Sequence, residues 1–351
     1  MIRKRDMKND DLNISYRPCR IDEMFGQDHA KNMLSNYLLN RTFPHSSLFV
    51  GPAGCGKTTA ARIVSLGLNC ETGITPNPCG VCPTCKSIIN QNNLSVLELD
   101  GARTRNIDMV RKVLNDLPSS PFGNDRFRVV IFDEAHKLTN DAEDALLKFL
   151  EDTPAHVYVI LCTNEPEKLK ETTRQRCKPI QFNRLEGNLL FEMLEQVAQF
   201  EGMRYDTNIL KKIVDECEGT PRVALSFLQQ INAEGTWTDE AASFILSAGV
   251  DLDQQEVIDL GKLLLQSATW SPVRDTFILS IKKIPAENIR ISLTGFLAGC
   301  LKRAHQFEDA IKYAKCTNIM SDLYYGPKPE HRLLVNLFRC YSILRGKGDT
   351  I

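Results

Sequence analysis

Leu48-Phe49-Val50-Gly51-Pro52-Ala53-Gly54-Cys55-Gly56-Lys57-Thr58-Thr59 is the stretch that decides the fold. From Gly51 to Thr58 it fits G-x-x-x-x-G-K-[ST], a loop whose backbone N–H groups close around phosphate. Its flanks agree. Residues 47–50 form a short apolar run that reads as a buried strand, and 60–68 read as a helix. That context points the N–H groups of Gly54, Gly56 and Lys57 into a concavity at a helix N-terminus, where the dipole also favours anions. Gly51, Cys55 and Thr59 complete the loop. Lys57 is expected to reach the β- and γ-phosphates of a nucleoside triphosphate, and Thr58 to hold Mg²⁺.

A second stretch supports the first. Arg128-Val129-Val130-Ile131-Phe132-Asp133-Glu134-Ala135-His136 is an apolar strand that ends in two acids. Asp133, at the strand's carboxyl end, is placed to hold a water of the Mg²⁺ shell. Glu134 beside it is placed to orient and deprotonate an attacking water. Ligands of open parallel sheets bind at the carboxyl ends of strands, so the acids stand where the phosphate loop needs them.

The composition narrows the class. Net charge is −1, with 42% hydrophobic and 25% charged residues, ordinary for a globular chain. Nothing global demands nucleic acid, so any basic surface is local. No apolar run reaches the length of a membrane span, and the polar segment 1–11 has no signal-peptide core. A cytoplasmic location without membrane contact is expected. In that setting the twelve cysteines read as metal ligands or buried thiols rather than disulfides. Cys70, Cys79, Cys82 and Cys85 stand apart as C-x8-C-x2-C-x2-C among Pro and Gly turns. Tight C-x2-C turns let thiolates converge on one tetrahedral ion, so the four are expected to form a closed, structural Zn²⁺ site.

Along the chain, strand-like runs at 95–99, 127–132, 157–162 and 178–182 alternate with helical patterns at 107–117 and 141–151. These strands read as apolar on both faces, which describes a parallel sheet covered by helices on both sides. After about residue 184 strand-like runs disappear. Helices are expected at 189–201, 207–216 and 221–230, then at 255–266, 271–281, 289–306, 307–317 and 330–345. The reading is an α/β nucleotide-binding domain at 1–184 with its zinc module at about 70–85, a helical domain at 185–241, and an all-α domain at 242–351.

With these motifs in place the chain resembles the AAA+ clamp-loader ATPases. Leu68-Asn69-Cys70-Glu71-Thr72-Gly73-Ile74 followed by Pro78-Cys79-Gly80-Val81-Cys82 is similar to a zinc module carried in that family straight after the phosphate-loop helix. Ser15-Tyr16-Arg17-Pro18 and Gly26-Gln27 resemble the opening segment that packs against adenine, which implies ATP as the nucleotide and places Tyr16, Arg17 and Pro18 at it. The resemblance runs from about Leu12 to Gln230 and implies further roles. Asn164, beside Thr163, falls where the family senses the γ-phosphate; on the residues alone the pair simply ends a strand. Arg176, before Cys177, falls on the arginine that reaches into a neighbouring subunit's nucleotide, although Gln175 stands where that motif has Ser. Arg222, after Gly219-Thr220-Pro221, falls on the lid arginine that contacts the phosphates. Arg103, Arg105 and Arg111 fall on the segment that tracks DNA phosphates; without the resemblance they read equally as a solvated basic turn.

The implied function is a motor subunit of a DNA sliding-clamp loader. Its implied partners are other loader subunits in a ring-like, pentameric assembly, the clamp, and primer–template DNA. The 185–241 domain would be the lid and 242–351 the collar. Two alternatives differ in class. Asp133-Glu134-Ala135-His136 also suits a DExH-type helicase, but such motors face two RecA-like domains across one nucleotide. A scaffold subunit with a degenerate site conflicts with an intact Lys57, Thr58, Asp133 and Glu134.

Overall fold

The computed structural model describes residue 4 and residues 11–101, 107–233, 235, 237–239, 242, 245–246, 255–282, 286–304, 306–321 and 329–346. The chain divides into two compact units: residues 1–203 with 210–225, and residues 204–209 with 226–351.

The first unit is built on a parallel sheet. Its strands are β1 (Ser46–Val50), β2 (Val96–Asp100), β3 (Arg128–Asp133), β4 (Val157–Thr163) and β5 (Lys178–Gln181). They lie in the order β2-β3-β4-β1-β5, every pair parallel. Successive side chains on a strand point to opposite faces, and the core splits accordingly. Val129 and Ile131 join Phe49, Ile160 and Phe182 on one face, beneath α2 (Asp28–Leu39) and α3 (Lys57–Asn69). Val130 and Phe132 join Leu48, Val159 and Leu161 on the other, beneath α5 (Ile107–Asp116) and α6 (Asn140–Glu151).

The expectation of strands apolar on both faces holds for the centre only. β4 is buried throughout, whereas β2 carries the exposed Glu98 and β5 buries Ile180 alone. β2 and β5 are the sheet's edges, where one hydrogen-bonding side has no strand to cover it.

Short helices appear that the apolar pattern does not announce: α1 (Leu12–Ser15), α4 (Pro83–Ile89) and α7 (Glu171–Arg176). α4 starts on a cap. The Cys82 sulfur accepts from the Cys85 N–H, and Pro83 occupies the first turn, where its missing N–H leaves no helical bond unmade. The unit also holds α8 (Gly187–Phe200). The helices α9 (Thr207–Glu216) and α10 (Pro221–Ala233) each contribute residues to both units.

The second unit is helical among its described residues: α11 (Gln255–Gln266), α12 (Trp270–Ser280), α13 (Ala286–Arg303), α14 (Phe307–Ser321) and α15 (Pro329–Leu344). Leu260, Leu264, Phe277, Leu293, Leu297, Met320, Leu333 and Leu337 form its core. Arg345 ties the end of α15 to the end of α11, donating to the carbonyls of Leu265 (2.8 Å) and Ser267 (3.0 Å). Among the described residues no helix is long and apolar enough to cross a membrane.

Candidate functional site

The phosphate loop leaves β1 and enters α3. Gly56, at φ 99°, caps the helix in the left-handed region that glycine adopts without penalty. Gly54 shows why the loop tolerates no side chain there. A Cβ on it would lie 2.6 Å from Thr220 Cγ2 and 3.3 Å from Arg222 Cβ, so the loop packs directly against the start of α10.

That packing closes a cavity of about 360 Å³ within the first unit. Tyr16, Arg17 and Pro18 line it with Gly54, Cys55, Gly56, Lys57, Thr58, Thr59, Asp133 and Arg222. Residues as far apart in sequence as Tyr16 and Arg222 thus share one surface. Four residues named from the sequence lie off that surface: Gly51, Glu134, Asn164 and Arg176 are not among its lining. Gly51 is buried where the loop begins, and a Cβ on it would meet the Phe182 carbonyl oxygen at 2.3 Å.

The polar groups are arranged for a highly charged ligand. Lys57 is buried, and its Nζ donates to the loop carbonyls of Gly51 (2.8 Å) and Pro52 (2.7 Å). Burial lowers the pKa of its ammonium. Thr58 Oγ1 donates to Asp133 Oδ2 at 2.9 Å, joining the helix start to the end of β3. Burial raises the Asp133 carboxyl above its ordinary value and the nearby Glu98 and Glu134 push the same way, against the hydrogen bonds from Thr58 and the Glu134 N–H. A hydroxyl and a carboxylate oxygen converging at a phosphate loop are the hard donors that Mg²⁺ takes. The chemistry of this pair therefore fits that ion.

Glu134 sits in the left-handed region at φ 53°, rare for a residue with a side chain and worth about 1–3 kcal/mol of strain. Its carboxylate lies 2.5 Å from Lys137 Nζ and 3.8 Å from His136 Nε2. Gly101, at the end of β2, fits against this turn: a Cβ there would lie 2.4 Å from the Glu134 carbonyl oxygen. Asn164 is exposed just beyond β4. Arg176 closes α7 and pairs with Glu151 of α6 at 2.6 Å, its side chain 37% exposed. Arg111 is exposed on α5; Arg103 and Arg105 lie outside the described residues.

Sequence reasoning missed several lining residues: Arg62, Glu98, Met193 and Val197. Arg62 grips Glu98 with two bonds of 2.6 Å. Its signal was available, because Arg62 follows Thr58 by four residues and shares its helix face. Glu98 had none, since only the pairing of Asp100 with Asp133 brings β2 beside the acids.

The four cysteines converge as their spacing implied. All four Sγ atoms lie within 4.8 Å of one another, with Cys70 and Cys85 buried. Zn–S bonds of about 2.3 Å in a tetrahedron set sulfurs ~3.8 Å apart, and Cys79 and Cys85 are separated by 4.0 Å. Backbone N–H groups of Cys79, Cys82 and Cys85 point at the sulfurs of Cys70, Cys79 and Cys82 at 3.3–3.4 Å. Burial works to raise the Cys79 thiol, but the backbone hydrogen bonds at Val81 and Cys82 outweigh it and bring it down to about 6. The donor set can hold a soft tetrahedral ion.

A phosphate loop on a parallel sheet, with an acid from the neighbouring strand system joined to its threonine, defines a P-loop nucleotide-binding unit. The sequence profile of the family described as DNA polymerase III, delta subunit, matches residues 26–186. The chain is 33% identical over 259 residues to DNA polymerase III subunit tau of Salmonella typhimurium, covering 70% of this chain and 40% of that protein. It is 38% identical over 220 residues to DNA polymerase III subunit gamma/tau of Mycobacterium bovis, covering 62% and 38%. The chain thus spans about two fifths of the length of these relatives. A Thermotoga maritima RuvB Holliday junction branch migration motor shows an overall likeness at a TM-score of 0.49 and 17% identity, over 89% of this chain and 99% of that one. The chain is thus similar, over its nucleotide-binding part, to the gamma/tau subunits of bacterial DNA polymerase III.

Proposed function

We propose that this chain is an ATP-hydrolysing motor subunit of a sliding-clamp loader. The observation that carries the reading is the cavity itself, where the phosphate loop, Asp133 and Arg222 share one surface with Tyr16, Arg17 and Pro18. The similarity to polymerase III gamma/tau subunits supports the biological role.

In this reading Tyr16, Arg17 and Pro18 hold the adenine side, and Lys57 meets the β- and γ-phosphates. Thr58 and Asp133 would hold Mg²⁺, which supplies charge to the transferring phosphoryl group. Glu134 takes a proton from the attacking water. Asn164 senses the γ-phosphate, and Arg222 contacts the phosphates from the start of α10. Arg176 serves the nucleotide of a neighbouring subunit, since phosphoryl transfer gains from added positive charge. Arg111, with Arg103 and Arg105, faces DNA phosphates without reading bases. The cysteine cluster holds a structural Zn²⁺.

The parts then read as an ATPase domain at 1–184, a lid at 185–241 and a collar at 242–351. The collar joins subunits in a ring-like, pentameric assembly. ATP binding arranges the subunits to open the clamp, primed DNA completes the sites, and hydrolysis releases the loaded clamp.

The test is phosphate release by the purified chain with its loader partners. Stimulation by clamp plus primed DNA, beyond that by single strands alone, is the expected result. Lys57→Ala should keep the fold, weaken ATP binding and stop loading. Normal ATP affinity in that variant would sink the phosphate-loop assignment, and stimulation by single strands alone would favour a translocase.

A further inference from the structure

His136, last of the Asp133-Glu134-Ala135-His136 run, takes no part in the reading above, yet its side chain is enclosed beside the acids. Its side chain is 4% exposed. Nδ1 lies 3.0 Å from Thr163 Oγ1. Nε2 lies 3.2 Å from Glu165 Oε1 and 3.8 Å from Glu134 Oε2. The ring therefore stands between the turn after β3 and the end of β4.

Donor and acceptor inventories give the contacts a direction. The carboxylates beside Nε2 only accept, so the neutral ring keeps its N–H there, and Thr163 Oγ1, which also accepts the Glu165 N–H at 3.0 Å, donates its own proton. In the neutral ring that proton goes to Nδ1, and the ring's N–H on Nε2 faces the two carboxylates. In the imidazolium form Nδ1 donates to Thr163 and Nε2 still faces Glu134 and Glu165. Both charge states keep a donor on Nε2, within hydrogen-bond distance of Glu165 and in looser electrostatic contact with Glu134. The residues that hold the ring, Thr163 and Glu165, flank Asn164 on either side.

We propose that His136 is a positioning residue that ties the carboxylate of Glu134 to the end of β4. The side chains of His136 and Lys137 meet the Glu134 carboxylate. Lys137 grips it from the same short turn. Among the described residues that meet this carboxylate, His136 is the one that also contacts another strand. A displacement at Asn164 therefore reaches Glu134 through one ring. The inference rests on the reading of Glu134 as the base.

The experiment measures steady-state ATP turnover of the full chain with its loader partners, and affinity for a fluorescent ATP analogue, in five proteins. These are wild type, His136→Ala, His136→Gln, Glu134→Gln and the double variant His136→Ala with Glu134→Gln. His136→Ala should bind the nucleotide within about twofold of wild type while kcat falls roughly a hundredfold, the scale of a misplaced catalytic group. His136→Gln, whose amide can donate near the Nε2 position, should recover most of the rate. In the Glu134→Gln background His136→Ala should lower the residual rate no further, because residues acting as a unit are non-additive. Wild-type turnover in His136→Ala, beside a slow Glu134→Gln, overturns the proposal and leaves the base assignment standing. Equal proportional losses in both backgrounds also overturn it. Wild-type turnover in Glu134→Gln removes the base assignment, and this inference with it. If His136→Ala does not fold, His136→Asn replaces it: Gln far above Asn supports the proposal, and equal rates overturn it.

Discussion

The first unit crowds mutually repelling groups together in two places, and it builds them in opposite ways. At the nucleotide cavity, Asp133 stands near Glu98 and Glu134 because the pairing of β2 with β3 brings the three together. Two extensive cores, one on each face, hold that sheet without help from the acids. At the cysteine cluster four sulfurs meet on tight turns, over a core of little more than Leu66, Cys70, Cys85 and Ile88. Two of those four core residues are themselves proposed ligands. The difference teaches where chemistry and folding separate. Changes in the cavity should alter reaction rates and spare the fold, whereas changes in the cluster should do the reverse.

The largest expected effect is that of Arg176→Ala. Arg176 contacts Glu151 on the surface and does not line the cavity. ATP affinity should hold while hydrolysis falls about 10³-fold, the scale of an arginine acting in trans. Mixing Arg176→Ala with Glu134→Gln subunits should restore part of the activity at sites pairing an intact Glu134 with a neighbour's intact Arg176. Full DNA-stimulated turnover by the single variant would show that the change at Gln175 goes with loss of the trans mechanism. Glu134→Gln comes next: nucleotide and clamp binding are kept, and single-turnover hydrolysis slows by roughly a hundredfold or more. A variant that unfolds instead would break the contrast on the cavity side.

On the other side, Cys79→Ser should cost more than about 2 kcal/mol of stability, the range reached when a structural metal is lost. Thermal unfolding and elemental analysis for one zinc per chain check it. An unchanged melting temperature, or zinc-free protein from careful preparation, would erase the distinction.

The smallest effect joins the two themes. Glu201, following α8, accepts from the Tyr16 hydroxyl at 2.6 Å and pairs with Lys4 at 2.7 Å. Burial works to raise the carboxyl, but the hydrogen bonds from Lys4 and Tyr16 prevail and lower it. A depressed folded pKa gives stability that is fully present above the unfolded value, about 4.3, and is lost as pH falls through the lower folded value. Glu201→Gln should therefore lose about 1 kcal/mol at neutral pH. Its gap from wild type in melting temperature should shrink below about pH 4; a pH-independent gap would assign the loss to packing.

Much of this was legible before any coordinates. The central strands betray themselves because burial on both faces demands unbroken apolar runs, as in Val157–Thr163. The phosphate loop and Asp133 are local spacings, and the four cysteines are a spacing too. What escaped was set at longer range or at shorter length. β5 buries a single side chain, so its pattern is faint. α4 and α7 are too short for helical periodicity to register and depend on their ends. Tyr16 and Arg222 were placed by family resemblance, since no local spacing joins residue 16 to residue 222. Glu98 and Val197 reach the cavity through strand pairing and helix packing alone.

The strand order also has a consequence in time. β1 carries the phosphate loop, yet its partners are β4 and β5: Ser46 pairs with Val159 and Ser47 with Lys178. On the ribosome β1 therefore emerges first and has no strand to join until β4 follows. At about 5–20 residues per second that interval is on the order of ten seconds. β2, β3 and β4 can align as neighbours meanwhile, and β1 must then slot between β4 and β5, with Phe49 and Leu48 waiting as exposed apolar surface. The nucleotide cavity is therefore assembled late. It closes only after β1, which leads into the phosphate loop, has docked and α8 and the start of α10 have followed, so chains halted earlier would present Leu48 and Phe49 to whatever holds them.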